Sequence, residues 1–371
     1  MTISRKITML LTLLMLLSAF AVLGVACVAK DGAIPQLRPD NAVEITNRFY
    51  EEHKLQDAQG NVVHVKAHKT IFVPRDAQRV VLFGVGDMDT YLQLGLQDKV
   101  VGRAVLSGMP TDVEDAFPII TLGDFNSGKP GVVGVSGSGI TDAPHDPDYD
   151  KIIELEPDLI IIEGRQRSGR NSSGHFQRLS AIAPTLDFGL SSGQVLQDNR
   201  SNLQDIAKIY ETKAELVQQA IDNINTQIQD IKTISSINNP KTLMILKNGE
   251  SYSFHGQSGR WSMVYNELGL TESIGELSNQ AHGTPMTPSL VQDNSDNIEM
   301  ILFVDNTGNG NKNSILEHDF FKNVPAVLNN LVFDLDMTWY FVSGGIQNLL
   351  NQIQEISTAV EAYNEFVGAN I

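Results

Sequence analysis

The sequence predicts an α/β protein of two Rossmann-like lobes with mostly parallel sheets, joined by one long helix. Three observations predict it: short β-branched runs alternate with helical stretches in the first half, a long amphipathic segment follows, and the second half repeats the alternation.

Residues 1–26 read as a secretory signal. Arg5 and Lys6 precede an apolar run from Ile7 to Val25, and small residues follow around Ala26. Cys27, the only cysteine, follows Leu23-Gly24-Val25-Ala26, which resembles a bacterial lipoprotein cleavage box with its leucine displaced by one position. The expectation is an exported protein, in the periplasm or on the outer face of the cytoplasmic membrane, either lipid-anchored at Cys27 or released by ordinary signal cleavage nearby. A single cysteine leaves no internal disulfide, so stability must come from a core. The formal net charge of −17 argues against nucleic acid or an anionic membrane surface as partner, since either needs clustered Lys and Arg.

Residues 27–74 form a polar leader with a hairpin signal at Asp57-Ala58-Gln59-Gly60. In the first lobe, over 75–196, strands are expected at Val80–Phe83, Val100–Gly102, Ile119–Leu122 and Leu159–Ile162. The Gly/Ser-rich stretch from Ser127 to Gly139 fits no phosphate-loop spacing and is read as a mobile loop. Ser201-Asn202-Leu203-Gln204 has the form of a capping box. Behind it Leu203, Ile206, Tyr210, Ala214, Val217, Ile221, Ile224, Ile228 and Ile231 recur at spacings of three and four. The spacing predicts one helix over 199–236 that links the lobes, roughly 45 Å long at about 1.5 Å per residue. The second lobe, over 240–371, carries expected strands at Leu243–Leu246, Met300–Val304 and Leu331–Leu335. A closing amphipathic helix uses Ile346, Leu349, Ile353, Ile356 and Val360.

The strand Pro157-Asp158-Leu159-Ile160-Ile161-Ile162-Glu163-Gly164 runs into Arg165, at the end of the strand where open α/β sheets hold ligands. A guanidinium keeps its proton, so an arginine there suits anion binding rather than proton transfer. The paired Asp87 and Asp89 near a strand end fit turn and helix caps better than acid-base catalysis. There is no His-Glu-x-x-His and no Gly-x-Gly-x-x-Gly after a strand, so an enzyme is not expected.

From Val73 to Val360 the chain resembles class III substrate-binding proteins of ABC importers, and among them the ferric siderophore receptors of petrobactin and catecholate type. The carrying segments begin with Val80-Val81-Leu82-Phe83-Gly84-Val85-Gly86-Asp87-Met88-Asp89-Thr90 and the Pro157–Gln166 strand. In the second half they are Gly256-Gln257-Ser258-Gly259-Arg260, Ala281-His282-Gly283 and Trp339-Tyr340-Phe341-Val342-Ser343-Gly344-Gly345. The resemblance implies a monomeric carrier, with no intrinsic cofactor, that delivers a ferric siderophore to a membrane permease. Haem, cobalamin or another metal chelate is the alternative cargo. The same resemblance implies that Arg165 and Arg260, one from each lobe, contact anionic oxygens of the chelate, and that His282 and Tyr340 are candidate iron ligands. Where the family usually has an arginine, this chain has Asn306, which implies a ligand less anionic than petrobactin. Arg167, Arg170 and Lys312 are candidates to compensate. Trp261 and Trp339 stand beside these segments and are expected to line the cleft. Permease docking in such carriers uses acidic residues on each lobe, for which Glu114 and Glu267 are candidates.

Overall fold

The structure is a computed structural model that describes residues 41–48, 53–56, 62–65, 69–106, 110–117, 131–136, 147–164, 175–191, 193–275, 277, 283–306, 311–341 and 344–370. The signal segment, Cys27, the strand expected at Ile119–Leu122, Arg165, Arg167, Arg170 and His282 lie outside the described residues. No described helix is long and apolar enough to cross a membrane.

β1 (Ala42–Asn47), β2 (His53–Gln56), β3 (Val62–Val65) and β4 (Lys69–Pro74) form two antiparallel ribbons, with the β2–β3 pair nested inside the β1–β4 pair. The inner ribbon pairs Gln56 with Val62, which brackets the hairpin signal at Asp57–Gly60. The amide of Asn47 fastens the outer ribbon to the first lobe, donating to the Thr185 carbonyl at 3.1 Å and accepting from the Asp187 N–H at 3.1 Å.

The first lobe follows with β5 (Val80–Leu82), α1 (Val85–Gln93), β6 (Val100–Leu106), α2 (Thr111–Ala116), β7 (Gly131–Ser136), α3 (Tyr149–Glu154), β8 (Leu159–Ile162), α4 (His175–Ser180) and β9 (Thr185–Asp187). The five strands are all parallel, in the order β7-β6-β5-β8-β9. Leu159 to Ile162 are fully buried, as an unbroken apolar run in a central parallel strand requires. One expectation is overturned here. Gly131–Ser136, inside the stretch read as a mobile loop, is the edge strand β7 paired with β6. Its sequence Gly-Val-Val-Gly-Val-Ser supplies β-branched residues, and an edge strand tolerates glycine better than a central one.

The linking segment also differs from expectation. α5 (Val195–Ile209) starts ahead of the proposed capping box, and α6 (Ala214–Asn238) is a separate helix after a short 3₁₀ turn at Glu211–Lys213. Ser201 sits inside α5, where its hydroxyl donates back to the Gln197 carbonyl at 3.0 Å instead of capping an N-terminus. The break falls at Tyr210, whose backbone leaves the helical region at φ −114 and ψ 76. Its buried hydroxyl donates to the Ala77 carbonyl at 3.0 Å, so the apolar spacing continues through a residue held by a different contact. The remaining apolar positions from Val217 to Ile231 are buried along α6 as the spacing predicts.

The second lobe contains β10 (Lys241–Asn248), β11 (Ser251–His255), α7 (Met263–Asn266), β12 (Thr271–Glu272), β13 (Thr284–Pro285), α8 (Pro288–Gln292), β14 (Met300–Asp305), α9 (Asn313–Leu316), α10 (Pro325–Leu328), β15 (Val332–Leu335), α11 (Thr338–Phe341) and α12 (Gln347–Ala369). Its strand order is β13-β11-β10-β14-β15, with β12 also on β10; the β11 pairings are antiparallel and the others parallel. Alternation sorts the sheet into two faces. Leu243, Ile245, Ile301 and Phe303 join a small cluster on one side, while Met244, Leu246, Met300, Leu302 and Val304 join the larger one. That larger cluster also holds the strands of the first lobe and the buried faces of α5, α6 and α12, so one apolar core runs through both lobes.

A second helix spans the lobes beside the long linking helix. α6 leaves the first lobe near Tyr210 and ends at Asn238, whose side chain donates to Asn364 of α12 at 2.8 Å. α12 starts against the first lobe at Asp89 and passes Glu299 of the second, where Tyr363 donates a hydrogen bond at 3.1 Å. The two run side by side in the same direction.

Candidate ligand-binding site

In the first lobe β5 and β8 are neighbours, but the chain leaves β5 toward β6 and leaves β8 toward β9 on the opposite flank. Such a switch of direction opens a crevice beyond the carboxyl ends of the two strands, where open α/β sheets bind ligands. In this sheet that position falls beside Phe83-Gly84-Val85 and Glu163-Gly164, the residues that follow β5 and β8, and Arg165 comes next in the chain. A Cβ on Gly84 would displace the Asp87 carboxylate and lie 3.7 Å from the Glu163 Cβ. Asp87 is driven well above the usual carboxylate range by burial, with Glu163 and Asp187 adding like charge.

Asp89, two residues on, has a different task. Its Oδ2 accepts from the Ile346 N–H at 2.7 Å and the Asn348 N–H at 3.1 Å, so it caps α12 from 257 residues away. Burial raises its pKa, and donation from Asn348, Ile346 and Gln347 pulls it partly back. Beside it Asn199 of α5 donates to the Gly345 carbonyl at 3.0 Å and accepts from the Gly345 N–H at 2.9 Å. Gly344 and Gly345 have φ of +76 and +91, and side chains there would strike Asn199 and Asp89. Close docking on the first lobe explains the two glycines of the Ser-Gly-Gly run.

In the second lobe the turn Gly256–Arg260 follows β11. The Gly259 N–H donates to the Gly256 carbonyl at 3.0 Å, and the Gln257 N–H reaches Glu272 at 3.4 Å. Burial raises the Glu272 pKa, with the Gln257 donor opposing. A Cβ on Gly256 would overlap the Glu272 carboxylate, which makes Glu272 the seat of the turn. Arg260 stands half-buried at its end. Asn306 lies at a different level of the sheet. β11 runs back along β10, its last residue His255 pairing with Met244, whereas Asn306 follows Asp305, which pairs with Lys247. Its side chain donates to Asn248 at 2.7 Å. Lys312, a candidate to replace the missing charge, donates instead to the Val332 carbonyl at 3.1 Å.

Trp261 and Trp339 are brought together, but inside the core. They are 4 % and 2 % exposed, so neither indole forms an open wall as the sequence led us to expect. The Trp261 ring N–H donates to the Trp339 carbonyl at 2.8 Å, and the Trp339 ring N–H donates to Glu355 of α12 at 2.5 Å. These contacts tie the Arg260 turn and α11, which carries Tyr340, to one spanning helix.

A pocket of about 510 Å³ opens between the lobes. Asp89 and Pro110–Val113 line it from the first lobe, Asp336–Thr338 from the second, and the first turns of α12 from below. Its described walls carry the carboxylates of Asp89, Asp112, Asp336 and Glu355 and the amides of Gln347, Asn348, Asn351 and Gln352, with no Arg or Lys among them. An anionic ligand bound between the lobes would draw its cations from elsewhere. Among the described residues no three His, Cys, Asp or Glu side chains gather to hold a metal ion.

Sequence reasoning missed Glu267 as a structural group. Its carboxylate accepts from the Leu196 N–H at 2.9 Å, and Gln197 and Val195 also donate to it, so it caps α5. A carboxylate engaged this way is poorly placed to pair with a permease arginine.

Two parallel-stranded lobes bridged by helices, with a crevice at the strand ends, are the architecture of a solute-binding protein. The chain belongs to the periplasmic binding protein family, whose model matches residues 80–338. It is a binding protein of extracytoplasmic type, not an enzyme. It is 29% identical over 294 residues to the petrobactin-binding protein YclQ of Bacillus subtilis, covering 78% of this chain and 84% of that one. It is 24% identical over 220 residues to the ferric-anguibactin-binding protein FatB of Vibrio anguillarum, covering 57% of this chain and 66% of that one. The crystal structure of YclQ superposes with a TM-score of 0.66 at 25% identity, over 86% of this chain and 99% of that one. The catecholate-siderophore-binding protein VctP of Vibrio cholerae shares the fold, with a TM-score of 0.65 at 20% identity over 85% and 100% of the two chains.

Proposed function

We propose that this protein captures a ferric siderophore of catecholate or mixed catecholate and carboxylate type between its lobes and hands it to an ABC permease. The observation that carries the reading is the 29% identity to a petrobactin-binding protein over 294 residues, which span both lobes. The topology supports it, since Arg165 follows Gly164 at the switch point of the first sheet. Arg165 from the first lobe and Arg260 from the second supply guanidinium forks to the chelate oxygens. Each charge-assisted bond contributes roughly 1.5 to 3 kcal/mol, a sizeable part of the roughly −12 kcal/mol of a nanomolar complex.

His282 and Tyr340 complete the coordination of iron where the siderophore leaves positions open; imidazole nitrogen and tyrosinate oxygen are both sound donors to it. Asn306, in place of an arginine, favours a cargo with less negative charge than petrobactin. Lipidation at Cys27 would hold the monomeric carrier at the outer face of the cytoplasmic membrane.

The test is titration of the mature protein with ferric catecholate, citrate and hydroxamate complexes, followed by indole fluorescence. Arg165→Ala and Arg260→Ala are each expected to weaken the catecholate complex at least about tenfold, which corresponds to about 1.4 kcal/mol. Unchanged affinity in both variants overturns the assignment, and tight binding of haem or cobalamin with no ferric siderophore bound replaces the cargo.

A further inference from the structure

We propose that Asp89 and Glu267 form a reciprocal clasp between the lobes, in which each carboxylate sits on the opening turn of a helix reached from the other lobe and the two caps engage and release together. Asp89, on α1 of the first lobe, holds the amides of Ile346 and Asn348, where the chain arriving from the second lobe enters α12. Glu267, just beyond α7 of the second lobe, holds the Leu196 amide where α5 of the first lobe begins.

The coupling runs through α5. Leu196 is capped by Glu267, and Asn199, three residues along the same helix, grips Gly345 through both its N–H and its carbonyl. Gly345 is followed by Ile346, the residue Asp89 holds. The path Glu267, Leu196, Asn199, Gly345, Ile346, Asp89 is thus a contiguous series of hydrogen bonds and helix backbone that crosses between the lobes three times. The Gly193 N–H adds a second stitch beside Glu267, donating to the Ser262 hydroxyl at 2.6 Å. Neither helix brings its own cap: Gln194 before α5 and Ile346 before α12 make no side-chain capping bond, so both opening turns depend on the distant carboxylate. Because α5 carries both contacts, fraying of its opening turn when Glu267 leaves Leu196 loosens the Asn199 grip on Gly345, and with it the segment on which Asp89 acts. The clasp is independent of which ligand the protein carries.

The test uses Asp89→Ala and Glu267→Ala in the mature chain, read by amide exchange. A helix cap contributes about 1 kcal/mol, so exchange at the capped amides is expected to accelerate roughly fivefold. Glu267→Ala should accelerate Ile346 and Asn348 as well as Leu196, and Asp89→Ala should accelerate Leu196 as well as its own partners. Amides of β10 and β14 should keep wild-type protection. Spin labels on Glu154→Cys and Leu328→Cys, with Cys27→Ser, should show a broader interlobe distance distribution in either variant. Acceleration confined to the helix whose cap was removed, or an unchanged distance distribution, overturns the proposal. Should the alanine variants fail to fold, Asp89→Asn and Glu267→Gln keep an acceptor without the charge, and the same cross-effect decides.

Discussion

The indole N–H of Trp261 is bonded to the backbone carbonyl of Trp339, 2.8 Å away and 78 residues later in the chain. Replacing Trp261 with Phe keeps an aromatic ring but leaves that buried carbonyl without its donor. A loss of about 1 to 3 kcal/mol is expected in urea unfolding. Because that carbonyl lies within α11, which carries Tyr340, affinity for the proposed ferric ligand should fall with it.

Ser201→Ala distinguishes a helix cap from a helix interior. At an N-cap the substitution costs about 1 kcal/mol, whereas in the middle of α5 it replaces a back-bonding serine with the best helix former. Stability is expected to be unchanged or raised by a few tenths of a kcal/mol, measured by the same unfolding curve.

Gly345→Ala is expected to be severe. The position has φ +91, and the new Cβ would stand 2.5 Å from the Asp89 carboxylate and 3.0 Å from the Gly86 carbonyl. A loss of roughly 2 to 4 kcal/mol should appear in chemical denaturation, while Gly249→Ala, with φ +61 but open space around it, should cost less.

The pH dependence has a definite sign. Burial raises the pKa values of Asp87, Asp89, Glu267, Glu272, Asp334 and Glu355, while that of the exposed Asp319 is lowered by its bond to Lys322. A carboxylate with a raised folded pKa binds its proton more tightly in the folded state. Its contribution is complete below the unfolded value near 4 and is lost as pH rises through the folded value. Melting temperature is therefore expected to rise as pH falls from about 7.5 toward about 5.5. Asp87→Asn should raise it at neutral pH and flatten the profile; a steeper fall in stability on acidification would contradict this.

Much of the fold was legible because buried parallel strands leave unbroken apolar runs. Val80–Leu82, Leu159–Ile162 and Met300–Val304 declare themselves in this way, and each is buried. Gly131–Ser136 was hidden by its glycines, which an edge strand accepts. The break at Tyr210 was hidden because that side chain is buried for its hydrogen bond to Ala77, in step with the helical spacing only by position. At the site, the strand end before Arg165 was readable from local pattern. The tasks of Asp89 and Glu267 were not, because their partners lie 257 and 71 residues away and a carboxylate carries no mark of the helix it will cap.

The apolar cluster shared by the first sheet, one face of the second and the helices between them has a thermodynamic outcome. Severing the polypeptide between the lobes would leave each half with a bare greasy side and no way to cover it. Calorimetry of the intact mature protein should accordingly record a single endotherm, with the two halves melting as one.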